Sequence, residues 1–158
     1  MKSKKSEKIN ELPNEEVLRK ILVNYKTVRL RVDYMEERLK EIHELYDKAS
    51  ALSQEETADQ LHLLEAKYQL GLETCVYWID LITKIADFLP FDCKEKTAIE
   101  LLYIDLLTED EIFSKMDIGR STLYRYVNNG LSMLCNCPEI LVIIDEYKSY
   151  YREVEGIK

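Results

Sequence analysis

"MDIGRSTLYRYVNNG", residues 116–130, is the stretch on which the fold turns. Asp117, Ile118 and Gly119 read as a tight turn, and from Arg120 onward apolar residues return at helical spacing. The helix that follows carries two arginines, two tyrosines and two asparagines, and no acid stands in the stretch after Asp117. The chain as a whole has a formal net charge of −8. An acid-free helix in an acidic chain needs a structural context before it can be read for function.

That context lies immediately upstream, in "YIDLLTEDEIFSK". Thr108 followed by Glu111 has the form of a capping box and predicts a helix starting at 109. The expected elements are helices over roughly 92–105, 109–115 and 119–135. The first is expected to bury Ile99, Leu102 and Tyr103, and the second Ile112, Phe113 and Met116. Ile118 serves as an inward apolar plug in the turn. The third is expected to bury Leu123, Leu131, Leu134 and either Val127 or Tyr126. Three helices around one small core, with a short second helix and a tight turn, describe a helix-turn-helix. The arrangement leaves Arg120, Ser121, Tyr124, Arg125 and Asn128 on the outward face, near the N-terminal half of the third helix. In such motifs that half enters the major groove of DNA. Arginine can donate two hydrogen bonds to guanine, asparagine can pair with adenine, and hydroxyls reach phosphates or base edges.

The charge is unevenly placed. Residues 1–40 hold 11 basic and 7 acidic side chains, residues 41–117 hold 6 and 18, and residues 118–158 hold 5 and 5. The acidic surplus therefore precedes the third helix and is not on it. Local charge decides whether a helix can approach phosphate.

Upstream, residues 1–13 read as a disordered basic arm carrying Lys2, Lys4, Lys5 and Lys8 and ending at Pro13. A long helix follows, with Asn14 as N-cap and Glu15 and Glu16 in its first turn. Its apolar positions are Leu18, Ile21, Tyr25, Val28, Val32, Met35, Leu39, Ile42, Tyr46 and Ala49. Spacings of three and four alternate throughout, which is a coiled-coil pattern. Ser53 with Glu56 fits a second capping box, so another long helix is expected from there to about Phe88. Its stripe is Leu61, Leu64, Tyr68, Leu72, Cys75, Ile79, Ile82 and Leu89, widened by Trp78 and Ile85. Gly71 interrupts it, and close helix contact is one reason for a glycine there. Two long helices with a short link predict an antiparallel hairpin, with a parallel coiled-coil dimer through the first helix as the competitor. After Pro138, a last helix over about 139–154 is apolar at Ile140, Ile143, Ile144, Tyr147, Tyr151 and Val154. That stripe must dock on the domain or on a second subunit.

The expected fold is therefore all-α: a long coiled-coil-like hairpin over 14–89, a helix-turn-helix domain over 90–137 and a C-terminal docking helix over 138–158. Scarce Gly (4) and Pro (3) agree with helices. No apolar run reaches the roughly 18–20 residues of a membrane span, and no apolar segment follows the lysines of the N-terminus, so no signal peptide is expected. Cys75, Cys93, Cys135 and Cys137 match no zinc spacing and are expected as buried or half-buried thiols. His43 and His62 neighbour no nucleophile. No metal, no cofactor and no enzyme is expected, because no nucleotide loop or nucleophile–base set is visible.

"EIFSKMDIGRSTLYRYVNNGLSML" also resembles the C-terminal part of phage late transcription regulators of the ArpU and RinA families, which are similar to region 4 of bacterial sigma factors. The elements that carry the resemblance are Glu111 to Phe113, the run Ser121 to Arg125, and the closing Leu131 to Leu134. The aromatic Phe113 stands where a generic helix-turn-helix prefers a small residue. The departures are Asp117, at a turn position where glycine is common, and Asn128 and Asn129, where such proteins usually carry lysines. The resemblance implies activation of late phage genes together with RNA polymerase in the cytoplasm of a bacterial host.

The expected function is a sequence-specific regulator binding double-stranded DNA, with homodimerisation through the N-terminal helices or the C-terminal helix as a means of adding contacts. Two other classes share the pattern. One is a small terminase-like DNA-packaging protein, which also joins a helix-turn-helix to a helical oligomerisation region. The other is a helix-turn-helix kept for its shape as a protein-interaction module, to which the acidic middle segment gives a motive.

Overall fold

The computed structural model describes the backbone of residues 9–156 and the side chains of residues 9–151. The fold is all-helical, with no strand among the described residues. The elements are α1 (Asn14–Ala51), α2 (Glu55–Ile85), α3 (Lys94–Ile99), α4 (Glu109–Met116), α5 (Arg120–Leu134) and α6 (Pro138–Gly156). A 3₁₀ turn, Ala86–Phe88, follows α2, and a wide π turn, Glu100–Ile104, extends α3. The lysine arm Lys2, Lys4, Lys5 and Lys8 lies outside the described residues. Residues 9–11 form a helical turn with Ile9 buried, so this part of the expected unstructured arm is folded instead. An isoleucine in a lysine-rich segment supplies the apolar anchor that makes the turn worth forming.

The chain divides into two compact units whose boundaries fall inside the long helices. One unit contains the chain up to Lys26 and everything from Leu81 onward; the other is Thr27–Asp80. This differs from the expected boundary at 89/90: the first turns of α1 and the end of α2 belong with the C-terminal helices.

In the Thr27–Asp80 unit, side chains of α1 and α2 touch one another. Every expected seam residue of α1 is buried or half-buried. Tyr46 packs on His62 with ring centroids 4.4 Å apart, His43 Nε2 lies 2.8 Å from Glu65 Oε2, and Tyr34 meets Tyr68 edge-on at 6.5 Å. The Arg38 guanidinium sits 5.8 Å above the Tyr68 ring. Its hydrogen bond to Tyr68 holds that phenol below the ordinary tyrosine range, while Tyr34, bonded to Tyr68, is pushed up. Gly71 faces the Met35 side chain: a Cβ there would stand 3.0 Å from Met35 Cε.

Ser53 does not cap α2. It adopts φ 56°, in the left-handed region, and ends α1. The Gln54 N–H donates to the Ala49 carbonyl at 2.9 Å and the Ser53 N–H to that of Ser50 at 3.2 Å, the paired bonds of a Schellman stop. The short connection makes one residue serve as terminator, and the α1 carbonyls take the bonds that a capping box would have used.

In the other unit, the sequence-predicted core forms. Ile99, Ile112, Leu123, Leu131 and Leu134 are fully buried, and Val127, not Tyr126, takes the inward position. Leu101 is buried and Leu102 only half-buried, because this element is covered on more than one side. Ile99 lies against α5 at Gly130, while Arg19 of α1 reaches Tyr103. Gly130 is required by that approach: a Cβ would stand 2.6 Å from Ile99 Cδ1 and 3.3 Å from Glu95 Cβ. α6 docks in cis through Ile140, Ile144 and Tyr147; Val154 lies outside the described side chains. Pro138 is its first residue, where a missing N–H costs nothing. No single helix among the described residues is long and apolar enough to cross a membrane.

Candidate nucleic-acid interface

α4 and α5 set the candidate site. Thr108 accepts from the Glu111 N–H at 3.2 Å while Glu111 Oε1 accepts from the Thr108 N–H at 3.2 Å, completing the expected capping box. These bonds hold the Glu111 carboxyl below its usual range. α4 ends at Asp117, which takes the left-handed conformation (φ 56°, ψ 51°). The Asp117 and Ile118 N–H groups both donate to the Phe113 carbonyl. Ile118 is half-buried, and the chain re-enters helix after Gly119. Asp can hold this conformation more readily than most L residues. No N-cap side chain bonds the first turn of α5, since Gly119 has none.

The buried face of α5 is Leu123, Val127, Gly130, Leu131 and Leu134. Ser121, Arg125 and Asn128 are exposed away from that face, Arg120 is exposed at the start of the helix in line with Val127, and Tyr124 is half-buried. Four of the five residues expected at the site are thus exposed. Their local partners were not expected. Arg120 Nε lies 3.5 Å from Glu109 Oε2, and the Tyr124 hydroxyl donates to Glu109 Oε1 at 2.8 Å. Glu109 is in the first turn of α4, so one carboxylate draws together two side chains of α5. The Arg120 guanidinium also lies 5.8 Å over the Tyr124 ring. Bonding to Glu109, helped by burial, pushes the Tyr124 phenol above its ordinary value. Arg125 lies 5.6 Å over the Tyr126 ring.

Asn128 is held from farther away. Its Oδ1 accepts from Arg19 Nη2 at 2.6 Å, and Arg19 Nη1 donates to the Tyr103 hydroxyl at 3.4 Å. Arg19 Nε is also 3.7 Å from Glu16 Oε1. The first turns of α1 therefore bring a third arginine to the α5 surface. Nothing in the sequence marks Arg19 for this place, since it is 109 residues from its partner. Glu109 was legible only as an acid at a helix N-terminus.

The arrangement can present two arginines, hydroxyls and an amide to a groove, with a third arginine beside the amide. The four cysteines are free, Cys75 buried and the others half-buried. Burial pushes the thiols of Cys75 and Cys135 up. Cys93 accepts from the Lys96 N–H at 3.4 Å and so caps α3. No group of three or more His, Cys, Asp or Glu among the described residues is placed to hold a metal ion. No family model, curated protein or solved structure matches the chain.

Proposed function

We propose that the chain is a sequence-specific DNA-binding regulator of transcription, with α4, the Asp117–Gly119 turn and α5 as its helix-turn-helix and α1 with α2 as an antiparallel hairpin. The observation that carries this reading is the outward face of α5. Arg120, Ser121 and Arg125 are exposed on the N-terminal half, and Asn128 just past the middle, of a helix seated by Leu123, Val127 and Leu131. Neither the turn after Asp117 nor α5 carries an acid. Groove-reading needs such a helix: bases are read by side chains held in fixed positions, and a carboxylate on that face would repel phosphate. Arg19 adds a positive group next to Asn128 and offsets the shortage of basic residues on α5. The resemblance to ArpU- and RinA-type regulators adds activation of phage late genes with bacterial RNA polymerase as the setting.

Selection from a pool of randomised duplexes tests the proposal. The full chain is expected to enrich one motif over successive rounds. The Arg120→Ala, Arg125→Ala double variant, folded by circular dichroism, is expected to enrich none. Enrichment of the same motif by both proteins would remove α5 as the reader.

A further inference from the structure

Arg19 does more at the α5 surface than add charge. Its guanidinium is held on three edges. Nε lies 3.7 Å from Glu16 Oε1, Nη1 donates to the hydroxyl of buried Tyr103 at 3.4 Å, and Nη2 donates to Asn128 Oδ1 at 2.6 Å. A guanidinium is a planar fork with fixed donor directions, so tying Nε and Nη1 also aims Nη2. Arg19, Tyr103 and Asn128 all belong to one compact unit.

The bond orients the Asn128 amide. Only its oxygen can face a guanidinium, since Nδ2 and the arginine nitrogens are all donors. Asn128 is exposed, and its Nδ2 hydrogens have no partner among the described residues. The amide therefore offers a ligand a donor beside a positive charge. Two-point pairing with adenine needs more: Oδ1 must accept from N6 while Nδ2 donates to N7. The second lone pair of Oδ1 is open, but N6 reaching it brings its positive hydrogens beside the guanidinium already bonded there. Guanine presents two acceptors, N7 and O6, on the same edge. Either takes an Nδ2 hydrogen, and the charge of Arg19 attracts both.

We infer that Arg19 sets which base Asn128 reads, turning the amide from adenine to guanine. The inference rests on the proposed function, in which α5 enters the major groove. Its test measures binding of the full chain to the duplex it selects and to each single-base substitution of that duplex. Wild type is compared with Asn128→Ala, Arg19→Ala and the double variant, all matched in helicity. The position whose preference vanishes in Asn128→Ala is expected to be guanine in wild type, favoured over adenine about tenfold. Arg19→Ala frees Oδ1 and is expected to bring adenine level with guanine at that position, leaving the other positions unchanged. Once Asn128 is alanine, Arg19→Ala is expected to alter no base preference. A residue that only braced the fold or added charge would weaken all duplexes alike. Asn128→Asp, an exposed change that keeps an acceptor for Arg19 and removes the Nδ2 donors, is expected to abolish the guanine preference. Adenine at that position in wild type, no position lost in Asn128→Ala, or a guanine preference surviving Arg19→Ala or Asn128→Asp would each overturn the inference and leave the proposed function standing. A wild type that selects no duplex would overturn both.

Discussion

Glu109 is the residue on which the chemistry of the α5 surface turns. Its carboxylate is bonded to the Tyr124 hydroxyl and paired with Arg120. On the proposed function, DNA must compete with it. Glu109→Gln keeps the size and a hydrogen-bond acceptor but removes the charge. Its expected effect is a gain in duplex affinity of about threefold to tenfold, or roughly 1 kcal/mol, measured by fluorescence anisotropy. An unchanged or weakened affinity would mean that Arg120 is not a phosphate or base contact. The same substitution is visible in the Tyr124 titration. The phenol titrates above its ordinary range in wild type and should move back toward it in the variant, read by ultraviolet absorbance. Because its folded value is raised, the stability that Tyr124 contributes is present in full below the unfolded tyrosine range. It is lost as pH rises through the raised value.

At the scale of elements, much was legible in the sequence where the signal was local. The Thr108–Glu111 box and the apolar spacing of α4 and α5 placed both helices within a residue or two. The stripes of α1 and α2 named residues that are buried or half-buried, and Gly71 stands against Met35 of α1. Misreadings came from residues with two competing local roles. Ser53 has the chemistry of an N-cap but ends the preceding helix, because a three-residue link leaves no room for both. Leu101 displaces Leu102 because a helix packed on two sides has no single stripe. The partners of Asn128 and Tyr124 were not legible, because such pairings are set only once the chain has folded. The two ends of α4 give opposite expectations. Thr108→Ala removes the cap and should cost about 1 kcal/mol. Asp117→Gly relieves the left-handed turn and should stabilise by about 0.5–1 kcal/mol. Both are read from urea unfolding followed by circular dichroism. A destabilised Asp117→Gly variant would show that the aspartate side chain, and not the backbone geometry alone, maintains the turn.

Across the molecule, the acidic surplus and the helix proposed to read DNA are separated along the chain. The 18 acids of residues 41–117 precede α5, and Glu109 is the one seen to bond its outward face. α1 joins the two units covalently and delivers Arg19 to Asn128 within the unit that contains α5. On the proposed function Arg19 matters because the α5 surface has few basic groups of its own, and phosphate contacts add to affinity and steepen its salt dependence. The most direct measurement is a set of binding isotherms on the selected duplex over a salt series, for wild type and for the Arg120→Ala, Arg125→Ala variant. If α5 reads DNA, the variant should bind about a hundredfold more weakly, with a shallower salt slope and no preference over a scrambled duplex. Superimposable isotherms for the two proteins would contradict the account.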